Sequence, residues 1–130
     1  MTPLRAGTAL ALLLVLLVIS SCGTSEADGT VATVRAERAA GLIASEEYVL
    51  LDLRSSGEYA AGHLAGAVSL PADSPGFEAR VASLDPGGRY LVYARTRDAS
   101  APLADRLVGL GLARVVDAGA LGPLVIAGAP

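Results

Sequence analysis

Two runs decide how this chain folds: Tyr48-Val49-Leu50-Leu51-Asp52-Leu53, and Ala67-Val68-Ser69-Leu70 ending at Pro71. The first is continuously apolar rather than alternating, which suits a strand covered on both faces, as in a parallel sheet. Pro71 stops the second, because proline has no N–H for a sheet ladder. Between them lie Asp52-x-Arg54, Glu58-Tyr59 and Gly62-His63-Leu64-x-Gly66-Ala67. That spacer is polar and glycine-bearing, so it reads as a structured connection.

Outward from this centre the pattern repeats. Residues 30–34 form a short strand with Val31 and Val34 apolar. Over residues 35–44, Ala39, Ala40, Leu42 and Ile43 share one helical face, opposite Arg35, Glu37 and Arg38. Residues 77–84 suit a helix, closed by the turn Asp85-Pro86-Gly87-Gly88. Tyr90-Leu91-Val92-Tyr93-Ala94 is the next strand. Ser100 suits a helix cap, with Pro102 in the first turn and Leu103, Leu107, Val108 and Leu110 on the apolar face. Val115 and Val116 mark a last short strand, and residues 120–126 a final helix weakened by Gly122 and Pro123. Strands alternating with helices predict an α/β fold on a mostly parallel sheet, with sites at the carboxyl ends of the strands.

Composition narrows the function. The chain has 130 residues, with ten basic against thirteen acidic ones and a net charge of -3. Every basic residue is Arg, and no basic cluster forms the stripe that nucleic acid requires. Trp is absent. The single cysteine, Cys22, excludes an intramolecular disulfide and a cysteine-based metal site. Neither a metal nor another cofactor is expected.

Cys22 follows an apolar run over residues 9–19, the length of a signal-peptide core and too short to span a bilayer as a mature helix. Ile19-Ser20-Ser21-Cys22 resembles a bacterial lipobox, which implies that Cys22 is lipidated and becomes the first mature residue. Residues 1–21 are then the lipoprotein signal peptide. Residues 22–29, small and polar, read as a flexible tether, and residues 30–130 as the folded domain. The expected location is the extracytoplasmic face of a cell membrane, with the membrane itself as the first partner.

The central motif, Asp52-x-Arg54, Glu58-Tyr59-x-x-Gly62-His63-Leu64-x-Gly66-Ala67 and Leu70-Pro71, resembles the first signature of rhodanese-like domains. This implies a three-layer α/β/α domain with a five-stranded sheet. Asp52, Arg54, Glu58, Gly62, His63 and Gly66 then read as scaffold: Arg54 and Glu58 are placed to pair, the glycines to take tight turns, and the sole His63 to lock the loop. Sharper roles for His63, as a base or metal ligand, lack partners in the sequence.

In catalytic members the fourth strand ends at a cysteine whose thiolate attacks a sulfane sulfur and carries it as a persulfide. The loop N–H groups and the helix N-terminus stabilise the anions. In this chain the corresponding loop is Ala94-Arg95-Thr96-Arg97-Asp98-Ala99-Ser100. Ala94 stands at the nucleophile position, Arg97 where the family has Gly, and Ala99 where it has a later Arg. The resemblance therefore implies an anchored, non-catalytic binding or scaffolding module with a protein partner. Two alternatives remain: a small-anion sensor using Arg95 and Arg97, or an enzyme using Asp98, Ser100 or His63 without cysteine.

Overall fold

The computed structural model describes residues 29–129; the expected signal peptide, Cys22 and nearly all of the tether lie outside them. Ten elements alternate: β1 (Thr30–Thr33), α1 (Ala36–Ala44), β2 (Val49–Asp52), α2 (Ser56–Ala61), β3 (Val68–Ser69), α3 (Phe77–Ala82), β4 (Arg89–Ala94), α4 (Arg97–Gly109), β5 (Arg114–Ala120) and α5 (Leu121–Ile126). The five strands form one sheet in the order β1-β5-β4-β2-β3. Every pairing is parallel.

Successive side chains of a strand point to opposite faces. Within β4, Tyr90 and Val92 enter one core while Leu91 and Tyr93 enter the other. The first core receives Phe77 and Val81 of α3 and Ala104 and Leu107 of α4. The second receives Ala39 of α1 and Leu124 of α5. The sheet is thus the middle of three layers. Apolar residues at consecutive positions of β2 and β4 are explained by helices on both sides.

Four local expectations change. The short strand at Val115 and Val116 runs from Arg114 to Ala120. Asp117, outside the expected strand, is fully buried and pairs with Thr33 of β1 and Val92 of β4, and the ladder closes at Ala94 and Ala120. Ser100 does not cap α4; Thr96 does, its Oγ1 accepting from Ala99 N–H at 3.2 Å. Pro102 is consequently the sixth helical residue, not part of the first turn, and withholds an N–H from the Asp98 carbonyl. The fourth change is α2, an additional helix. Its start is a capping box, with Ser55 Oγ accepting from Glu58 N–H and the Glu58 carboxylate accepting from Ser55 N–H.

Gly66 turns the chain into β3. Ala67 N–H donates to Leu64 C=O at 3.0 Å, and Gly66 takes φ 78°, a left-handed conformation that glycine tolerates at no steric cost.

Candidate functional site

From β2 the chain passes to β3 on one side, and from β4 to β5 on the other, while β2 and β4 are neighbours. Their carboxyl ends flank the point where the winding direction reverses, which is where open α/β sheets form their ligand crevices. Asp52 ends β2 and Ala94 ends β4.

Asp52 is fully buried. Its carboxylate accepts from Arg54 N–H at 2.9 Å, from Arg54 Nε at 3.0 Å and Nη2 at 2.6 Å, and from the Tyr93 hydroxyl at 2.8 Å. A buried charge is tolerated only with such partners. Arg54 Nη2 also donates to Gly62 C=O at 2.7 Å, and the Tyr93 oxygen accepts from Leu64 N–H at 3.2 Å. One network therefore holds the β2 end, the β4 end and the Gly62–Leu64 turn together. The hydrogen bond to Asp52 raises the Arg54 pKa. Burial, reinforced by the bond to Asp52, pushes the Tyr93 phenol well above its ordinary value. Tyr93 thus remains a neutral donor.

Above this network, Arg95 Nε donates to Glu58 Oε1 at 2.6 Å. Glu58 Oε2 accepts from Ser55 Oγ at 2.9 Å. The Arg95 guanidinium, then the Ser55 hydroxyl, pull the Glu58 carboxyl down to about 2. The expected Arg54–Glu58 pair does not form. Arg54 is taken by the buried Asp52 two residues away, leaving Glu58 to the loop arginine. The Glu58–Arg95 pair ties α2 to the β4–α4 loop across the crevice.

The remaining loop residues do not converge on one point. Arg97 turns away from the crevice, where its Nη2 donates to Val34 C=O at 3.2 Å and packs over Gly119. Thr96 caps α4, and Asp98 lies in its exposed first turn. Ala99 is half-buried. Ser100 is fully buried and its hydroxyl donates to Arg97 C=O at 3.0 Å. Ala94, at the end of β4, is buried.

His63 Nδ1 lies 2.8 Å from Tyr59 C=O, and its ring stacks on that of Tyr59 with centroids 3.7 Å apart. The Tyr59 hydroxyl in turn donates to Ala67 C=O at 2.7 Å. Both contacts hold the His63 ring against the end of α2. Among the described residues, no group of three His, Cys, Asp or Glu side chains is placed to hold a metal ion.

A cavity of about 470 Å³ opens beside the ion pair, lined by Arg54, Glu58, Ala61, His63, Leu121 and Val125. A larger hollow of about 550 Å³, lined by Ile43, Tyr48, Val49 and Leu91 among others, does not touch the β4–α4 loop. Sequence reasoning missed Tyr93 as a site residue; its signal is a hydroxyl-bearing aromatic at the end of an aliphatic run. It also missed Asp117, whose Oδ2 has no partner within the buried β5 end.

The sequence model of the Rhodanese-like domain matches residues 35–120. Solved structures agree on the fold. The Alr3790 protein from Anabaena sp. superposes with a TM-score of 0.66 at 22% identity, covering 75% of this chain and 88% of that one. A rhodanese-related protein from Thermoplasma volcanium gives 0.64 at 23%, covering 76% and 95%. No curated protein matches. The doubly wound five-stranded parallel sheet and the family match over most of the folded residues lead to one assignment: the chain belongs to the rhodanese-like domain family.

Proposed function

We propose that this chain is a membrane-anchored lipoprotein whose rhodanese-like domain binds a partner and does not transfer sulfur. The observation that carries this reading is Ala94, which ends β4 at the head of the loop into α4. By the resemblance drawn from the sequence, this is the place of the family's nucleophile. A methyl group forms neither a persulfide nor a phosphocysteine. The chain's one cysteine is Cys22, outside the domain, and its one methionine is Met1. Neither hydroxyl of the loop is placed to take over: Ser100 is buried and turned to a carbonyl, and the Thr96 oxygen caps α4.

The anion-sensor reading is less favoured, because both arginines it needs are engaged, Arg95 by Glu58 and Arg97 by Val34 C=O. What the domain retains is a rigid crevice rim beside a partly apolar cavity, which suits recognition of a protein surface.

The anchor rests on the lipobox-like Ile19-Ser20-Ser21-Cys22. Lipid on Cys22 contributes roughly 0.8 kcal/mol per buried CH₂, and two or more acyl chains hold firmly. Among the described residues, no helix is long and apolar enough to cross a membrane. The test is the mass and partition of the protein made in bacteria. The expected product begins at Cys22, carries acyl chains and sediments with membranes, while Cys22→Ser is released; an unmodified soluble product contradicts the anchor.

A further inference from the structure

Every strand pairing is parallel, so the amino edge of the sheet lies at the far end from the crevice. Four residues stand in one row across that edge. Arg114 is in register with Thr30 of β1 on one side and with Arg89 of β4 on the other. Val49 is in register with Tyr90, which sets Tyr48 beside Arg89. Side chains at one level of a parallel sheet share a face. Leu91 and Val116, two residues beyond the arginines, identify it as the face that carries Ala39 of α1 and Leu124 of α5. Thr30, Arg114, Arg89 and Tyr48 line a cleft of about 410 Å³ there.

The protein satisfies this row poorly. Strand spacing sets the two arginine Cα atoms about 5 Å apart, and like charges on neighbouring strands repel. Arg89 Nη1 meets Glu47 Oε2 at 3.2 Å, in a pair whose side chains are 48% and 62% exposed. Such exposed pairs hold weakly. Arg114 makes no ion pair among the described residues. The hydroxyls of Tyr59, Tyr90 and Tyr93 each donate to a protein oxygen. Tyr48, the fourth tyrosine of the chain, has no such bond among the described residues and lines the cleft. An anion placed between the two guanidiniums converts their repulsion into attraction.

We propose that this amino-edge cleft binds a phosphate ester, with Arg89 and Arg114 on the phosphate oxygens and the Tyr48 and Thr30 hydroxyls as further donors. A planar carboxylate is satisfied by a single arginine fork. A tetrahedral phosphate has oxygens pointing several ways and accepts from several strands at once. The cleft has the size of a small-molecule site, so it takes the esterified group as well as the phosphate. The site is separate from the Glu58–Arg95 crevice and does not depend on the anchor. A soluble ester and a lipid headgroup present the same phosphate chemistry, and the experiment separates them.

The full chain is titrated at constant ionic strength with glycerol 3-phosphate and, separately, with the short-chain lipid dihexanoyl-phosphatidylglycerol. The arginine Nε–H resonances are followed by NMR. The expected result is saturable movement of the Arg89 and Arg114 resonances. Arg114 is exposed, so Arg114→Ala leaves the fold intact; it should weaken binding about tenfold or more. Tyr48→Phe, which removes only an oxygen, should weaken it a few-fold. Arg38→Ala removes the same charge from an exposed position on α1 and should leave binding unchanged. A response to glycerol 3-phosphate supports the site with a soluble ester, and a response to the lipid alone supports it with a headgroup. No saturable movement with either probe overturns the proposal. Weakening by Arg114→Ala no greater than that by Arg38→Ala overturns it as well.

Discussion

The Tyr93 hydroxyl donates a 2.8 Å hydrogen bond to Asp52 Oδ2, joining the carboxyl ends of β4 and β2 beneath the crevice. Arg54 grips the same carboxylate from the other side and has an 8% exposed side chain. Removing the anion strands a nearly buried cation, whereas removing the phenol oxygen leaves the carboxylate with Arg54. Asp52→Ala should therefore destabilise the domain by about 3–5 kcal/mol and Tyr93→Phe by about 1–2 kcal/mol. Urea unfolding checks the order; a Tyr93→Phe loss as large as that of Asp52→Ala contradicts the network.

The Glu58–Arg95 pair makes a pH prediction. Glu58 titrates at about 2 in the folded chain against 4.5 for the free group. A depressed acid pKa stabilises the fold above the unfolded value, and the contribution is lost as pH falls towards the folded one. The melting temperature of the wild type should exceed that of Glu58→Gln at pH 6, and the gap should close between pH 4.5 and pH 2. Because Arg95 is largely exposed, added salt should narrow the gap too. A gap independent of pH places the effect elsewhere.

The α4 cap separates Thr96 from Ser100. Thr96→Ala removes the acceptor for Ala99 N–H and should cost about 1 kcal/mol. Ser100→Ala removes only a donor to Arg97 C=O within the helix and should cost less. Paired unfolding measurements decide between them, and the reverse order restores Ser100 as the cap.

Gly119 takes φ 83°, and a Cβ there would stand 3.2 Å from Arg97 Nη2. The arginine tip can move, but the left-handed backbone cannot relax without disturbing β5. Gly119→Ala should cost about 1–2 kcal/mol, and Arg97→Ala in the same chain should recover little of it. Full recovery in unfolding experiments attributes the cost to the guanidinium instead.

The layered fold was legible because its signals are local. The apolar runs at residues 48–53 and 90–94 announce strands covered on both faces. The errors arise where local rules compete or where partners are distant. Thr96 and Ser100 are both capping residues, and Pro102 suggests the later start; the structure selects Thr96. Asp117 and Gly119 lie outside the expected strand, yet β5 continues because Asp117 pairs with Thr33 and Val92, and Ala120 with Ala94. Arg54 and Glu58 are close enough in sequence to pair. However, the true partner of Glu58 is 37 residues away, and only the β2–β4 adjacency brings it near. Tyr93 was hidden among the aliphatic residues that conceal its hydroxyl.

Sulfur transfer from thiosulfate to cyanide by the purified chain tests the central claim most directly, with heat-denatured protein as background and Ala94→Cys alongside. The account predicts that the wild type stays at background, whether or not Ala94→Cys gains activity. Wild-type turnover above background, retained in Cys22→Ser, would contradict the claim that the domain lost its chemistry with the cysteine.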